Sequence, residues 1–82
     1  MPTLELFHQI VDASSARVRR FIVDHELESH VRFRNLAFDE VRADWQARGA
    51  PAIPSLWDGE RLHVGADAVI ARLQAFSDVG RS

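Results

Sequence analysis

Ala52-Ile53-Pro54-Ser55-Leu56-Trp57-Asp58-Gly59-Glu60-Arg61-Leu62-His63-Val64-Gly65-Ala66-Asp67 is the stretch on which the architecture turns. Two short apolar runs flank Asp58-Gly59, a dipeptide suited to the tight reversal of a β-hairpin because both residues tolerate positive φ. Residues 52–57 are therefore predicted as a strand and residues 61–64 as its antiparallel return. Pro54 has no N–H for the ladder, so its place is an edge, a bulge or a cis bond. Beyond Gly65 the period changes: Ala66, Val69, Ile70 and Leu73 line one face of a helix predicted over residues 66–76.

Upstream, residues 3–9 (TLELFHQ) form a short run rich in large apolar residues before a turn-like VDASS, which predicts a strand. From Ser14 or Ser15, Val18, Phe21 and Ile22 recur at helical spacing, with Arg17, Arg19, Arg20 and Asp24 on the remaining arc. Asp12 or Ser14 is the natural N-cap, since a short oxygen side chain accepts from first-turn N–H groups. Residues 30–36 alternate, with Val31 and Phe33 on one face and Arg32 and Arg34 on the other, as suits an edge strand. A strand, a helix and a strand in this order predict a parallel pair. Residues 39–48 place Phe38, Val41 and Trp45 on a helical stripe that Gly49 ends as a left-handed cap. Asp39, Glu40 and Asp44 are expected on its exposed face, and Trp45 and Trp57 as core anchors.

The expected class is α/β, in the order β-α-β-α-β-β-α, with a four-stranded mixed sheet and three helices in a single domain over residues 1–82. At 82 residues the core is modest, because a chain this small buries roughly 60% of its unfolded surface. Dimerisation or a partner surface is consistent with that. The 46% hydrophobic and 27% charged composition fits an ordinary globular domain. A net charge of −2 gives no global attraction to nucleic acid. Every one of the ten basic residues is arginine; Arg17, Arg19, Arg20, Arg32 and Arg34 are expected on solvated faces among acids, with a local basic patch as the alternative. No run reaches the roughly 18 apolar residues of a membrane span, and Met1-Pro2 opens no signal-like region, so a cytoplasmic location is expected.

In their order and spacing these motifs resemble the thioredoxin fold, specifically glutaredoxins and the N-terminal domain of glutathione S-transferases. Leu4-Glu5-Leu6-Phe7-His8-Gln9 is similar to the family's first strand, and Asp12-Ala13-Ser14-Ser15 stands where its Cys-x-x-Cys would be. Arg17-Val18-Arg19-Arg20-Phe21-Ile22 resembles the following helix, Ala52-Ile53-Pro54 the segment whose proline is cis in the family, and Val64-Gly65-Ala66-Asp67 the start of its last helix. The chain contains no cysteine, so it has neither the sulfur nucleophile nor the leaving group of thiol–disulfide exchange. The resemblance implies a degenerate redox motif at Asp12, Ala13, Ser14 and Ser15. It further implies a glutathione-like groove at Gln9, Ser15, Ile53, Pro54, Gly65, Ala66 and Asp67. There Ile53 offers main-chain pairing, the start of the last helix offers N–H groups to an anion, and Gln9 replaces the lysine that contacts a glutathione carboxylate. Asp67 is expected to cap that helix and to compete for the same N–H groups.

The function expected is a non-redox module that binds a peptide, a protein partner, its own copy or, weakly, glutathione, without another cofactor. The alternatives are a serine-type transferase, in which Ser15 or Ser14 holds the glutathione thiolate, and a degenerate structural relic. His25-Glu26-Leu27-Glu28-Ser29-His30 spaces its histidines five apart, which places them on different helix faces, so no metal site is expected. His8 is expected half-buried and His63 exposed.

Overall fold

The computed structural model describes residues 4–80. Met1, Pro2 and Thr3, the last of them predicted to open the first strand, lie outside the described residues. The elements are β1 (Leu4–His8), α1 (Ala13–Asp24), a 3-10 turn (Glu28–His30), β2 (Val31–Asn35), α2 (Asp39–Ala47), β3 (Ser55–Trp57), β4 (Leu62–Val64) and α3 (Ala66–Gly80). The sheet is mixed, in the order β2-β1-β3-β4. β1 and β2 are parallel, while β3 is antiparallel to both β1 and β4.

Side-chain alternation along β1 sorts the molecule into two unlike layers. Leu4 and Leu6 point to one face, where they join Val18, Ile22, Leu27, Val31, Leu56, Val69 and Leu73 in a single apolar cluster beneath α1 and α3. Full burial of each such side chain is worth about 1.5–3 kcal/mol, so this layer carries the fold.

Glu5 and Phe7 point to the other face, under α2, which buries none of its own residues. The predicted apolar stripe there is not a core: Phe38 is exposed, and Val41 and Trp45 are only half-buried. Arg34 is not on a solvated face either, with a side chain 12% exposed. It bonds Glu5 and, at 3.1 Å, Asp44, while Arg48 reaches Glu5 at 2.8 Å and Asp44 at 3.0 Å. The four charges close a ring between strand and helix, so Asp44 is engaged rather than free on the outer face. Both guanidinium groups lie 5.3 Å from the Phe7 ring centre, and Arg48 also covers Trp57 at 5.0 Å. Gly49 follows α2 at φ +75°, where its missing Cβ avoids the strain another residue would carry.

The hairpin differs from a two-residue reversal. Trp57 pairs with Leu62, which leaves a loop of four residues. The Asp58 carboxylate folds that loop by accepting the N–H groups of Glu60 and Arg61, both at 2.9 Å. The same carboxylate takes His63 Nε2 at 2.8 Å and Arg72 Nε at 3.2 Å, so His63, expected exposed, is held inward with its side chain 16% exposed. Residues 52–54 lie outside the ladder, which begins at Ser55; the Ile53-Pro54 peptide is cis. α3 runs four residues past its predicted end at Phe76.

Candidate functional site

Strand register gathers the candidate residues at one end of the sheet. His8 lies opposite Asn35, Phe7 opposite Ser55, and Ser55 opposite Val64. The exits of β1, β2 and β4 and the entry of β3 therefore share an edge, and the segments bearing Gln9, Asp12, Ile53, Pro54 and Gly65 meet there. Gly65, at φ +93°, donates its N–H to the Pro54 carbonyl at 2.9 Å and joins two of those segments directly.

Hydrogen bonds organise the β1–α1 loop before any ligand is considered. Asp12, extended at φ −85° and ψ 124°, caps α1 by accepting the Ser15 N–H at 2.7 Å. Ser15 is fully buried, and its hydroxyl accepts the Gln9 N–H at 3.3 Å. One turn further on, Arg19 Nη1 lies 3.0 Å from the Gln9 carbonyl and 3.1 Å from His8 Nδ1, while Nη2 reaches the Ile10 carbonyl at 3.2 Å. Arg19 thus turns into the loop rather than joining a basic patch. His8 is buried, not half-buried, and lies edge-on to Phe33 at 5.7 Å between ring centres. Burial, and secondarily the Arg19 charge, holds its pKa below 6.5.

The predicted site residues divide by what remains available. Ala13 and Ser14 are exposed on the first turn of α1, whereas Asp12, Ser15 and the main chain of Gln9 are committed to the loop itself. Pro54 is buried, and Ile53 is half-buried with no hydrogen bond from its N–H or C=O to the described residues. Asp67 does not cap α3. It lies in the first turn, its side chain 90% exposed, and pairs with Arg17 at 2.9 Å. The helix start carries Gly65, which has no side chain to occupy its N–H groups.

Beside these segments, Gln9, Ile10, Val11, Asn35, Ala37 and Arg42 line a cavity of about 280 Å³. It sits outside the carboxyl ends of the two parallel strands, the end where ligands commonly bind in open α/β sheets. Its apolar wall is exposed, with Ile10 62% and Val11 94% accessible. Sequence reasoning missed this cavity because its wall combines two loops without periodicity with the end of β2 and Arg42 of α2, residues that only the packing of α2 brings together. Arg19 was legible in principle, since it follows Ser15 by four residues and so shares its helix face.

Among the described residues, no three His, Asp or Glu side chains come together as metal ligands, and no helix is long and apolar enough to cross a membrane. No protein-family model, curated protein or solved structure matches the chain.

Proposed function

We propose that the chain is a thioredoxin-fold, glutaredoxin-like module whose redox pair has been replaced, and that it binds an extended segment of a peptide or protein partner at this end of the sheet. The observation that carries the proposal is the free main chain of Ile53. Among the described residues its N–H and C=O have no partners, and they lie beside a segment tied to Gly65 and at the same sheet end as the α1 cap. An incoming extended backbone satisfies both groups as an added strand does, and needs no particular side chain from this protein. The first turn of α3 adds N–H groups for a carboxylate or carbonyl.

The capped loop supports the same placement. Asp12 accepts the Ser15 N–H at the position where the resembled family holds a thiolate. A carboxylate there keeps the cap and removes the chemistry, because it forms no mixed disulfide. The serine-type transferase alternative is weakened, since the Ser15 hydroxyl is buried and already accepts from Gln9. Glutathione makes the main-chain contacts but loses the charge-assisted contact that Gln9 does not supply, so its expected affinity is millimolar, about 4 kcal/mol, or weaker. A cytoplasmic location and a second copy of the chain as the partner are compatible with this reading.

Amide chemical-shift mapping tests the proposal. An extended peptide is expected to move Ile53, Gly65 and Ala66 more strongly than glutathione does. Micromolar glutathione binding would favour the transferase-like alternative. Shifts confined to Trp45 or to the Arg17 and Arg20 face on adding a protein partner would move the function to the outer surface.

A further inference from the structure

The contact between Arg19 and His8 joins two groups that do not both remain donors. A guanidinium has no acceptor, so a hydrogen bond at 3.1 Å requires Nδ1 of His8 to be an unprotonated lone pair, with the ring proton on Nε2. A second proton turns Nδ1 into a donor aimed at a cation. Among the described residues, the surroundings of His8 offer nothing to compensate. α1 presents Arg19, β2 presents the Phe33 ring and, by register, Asn35, and no carboxylate touches His8 among the described contacts.

The same guanidinium holds the carbonyls of Gln9 and Ile10. These are the two residues between β1 and the exposed tip at Val11, and both line the cavity. We propose that His8 and Arg19 form an acid-sensitive latch on the β1–α1 loop: protonation of His8 expels the guanidinium, frees the Gln9 and Ile10 carbonyls, and loosens the loop leading to the Asp12 cap. Neutral His8 keeps the loop fastened and the cavity wall in place. The buried ring resists protonation, and the Arg19 charge adds to that resistance, so the latch holds at neutral pH and opens only as the pH falls through a midpoint below the ordinary histidine value. Below the His8 midpoint the fastened population falls about tenfold for each pH unit.

Any effect on binding rests on the peptide-binding function proposed above. The latch itself does not, and free protein therefore tests it. The experiment follows the His8 ring protons and the amide shifts of Gln9, Ile10, Val11 and Asp12 by NMR from about pH 8 to pH 5, across the range in which histidine titrates. The expected result is one shared transition for ring and loop, with a midpoint below 6.5. In His8→Gln, whose amide oxygen accepts from Arg19 at every pH, the loop transition is expected to vanish. Arg19→Met, a second variant that leaves His8 in place, is expected to raise the His8 midpoint and uncouple it from the loop. A loop transition that persists in His8→Gln, or a His8 titration in the wild type that leaves the loop amides unmoved, overturns the proposal. So does a His8 midpoint unchanged in Arg19→Met.

Discussion

Leu6 and Glu5 are neighbours on β1, yet Leu6 faces an apolar cluster beneath α1 and α3, whereas Glu5 faces two arginines beneath α2. One layer is held by area removed from water, which depends little on salt or proton concentration. The other is held by a ring of charges whose strength depends on both. Burying charges costs solvation, and the ring offsets that cost by giving each carboxylate two guanidinium partners and each guanidinium an aromatic surface. α2 is therefore a helix fastened by chemistry that solution conditions adjust, and Arg42 of the cavity wall rides on it.

The sharpest break between the layers is expected from Leu6→Ala. This side chain is fully buried at the centre of the apolar cluster, and its loss should cost about 2–5 kcal/mol in urea denaturation. A cost under about 1 kcal/mol would contradict the assignment of the fold's stability to that face. Glu5→Gln should cost less, about 1–3 kcal/mol, because the ring is partly exposed and lies between the surface and buried limits. Its cost should shrink as salt is added, while that of Leu6→Ala should not.

Acid sharpens the same contrast. Burial pushes the Glu5 carboxyl up, but the hydrogen bonds and charges of Arg48 and Arg34 outweigh it and hold the group below 4.5. A carboxyl lowered in the folded state contributes stability that is present above its unfolded pKa and lost as pH falls through the folded one. Wild-type stability should therefore fall below about pH 4.5, and Glu5→Gln should flatten that fall. It should not abolish it, since Asp58 is also lowered: burial raises it, but the N–H of Arg61, the His63 side chain, the N–H of Glu60 and Arg72 prevail. Equal slopes in the two proteins would show that the ring is not the acid-sensitive element.

Smaller effects are expected at the ends of α1. Asp12→Ala removes the cap and should cost about 0.5–2 kcal/mol. Arg17→Ala breaks an exposed pair and should cost under about 0.5 kcal/mol. Thermal denaturation of the two variants should keep that order.

How much of this could be foreseen follows from the range of each interaction. The position of the hairpin, though not its four-residue loop, the cap at Asp12, one of two candidates beside Ser14, and the stripe of Val18 and Ile22 are local, set by spacing within a few residues, and were legible in the sequence. The charge ring was not, because it joins Glu5 to Arg34 and Arg48, residues 29 and 43 positions apart. An alternating strand alone reads Arg34 as solvated, and only the packing of α2 over β1 shows otherwise. Residues 52–54 read as strand from their composition, but the Pro54 carbonyl turns to Gly65, and the main chain of Ile53 finds no partner among the described residues. The candidate groove was placed by resemblance, and strand register brings its segments to one end of the sheet. The cavity beside it depends on loop conformations that no periodicity encodes.

The proposed function requires that residues 12–15 stand where a glutaredoxin-like fold carries its redox pair, without the sulfur. The double variant Asp12→Cys with Ser15→Cys tests it most directly. Under mild oxidation the pair is expected to close into a disulfide that dithiothreitol reopens, with the residue-12 thiolate stabilised by the helix N–H groups that Asp12 now occupies. Free-thiol counting and intact mass give the readout. A folded double variant that keeps two free thiols under those conditions would contradict the placement of this segment and the groove built on it.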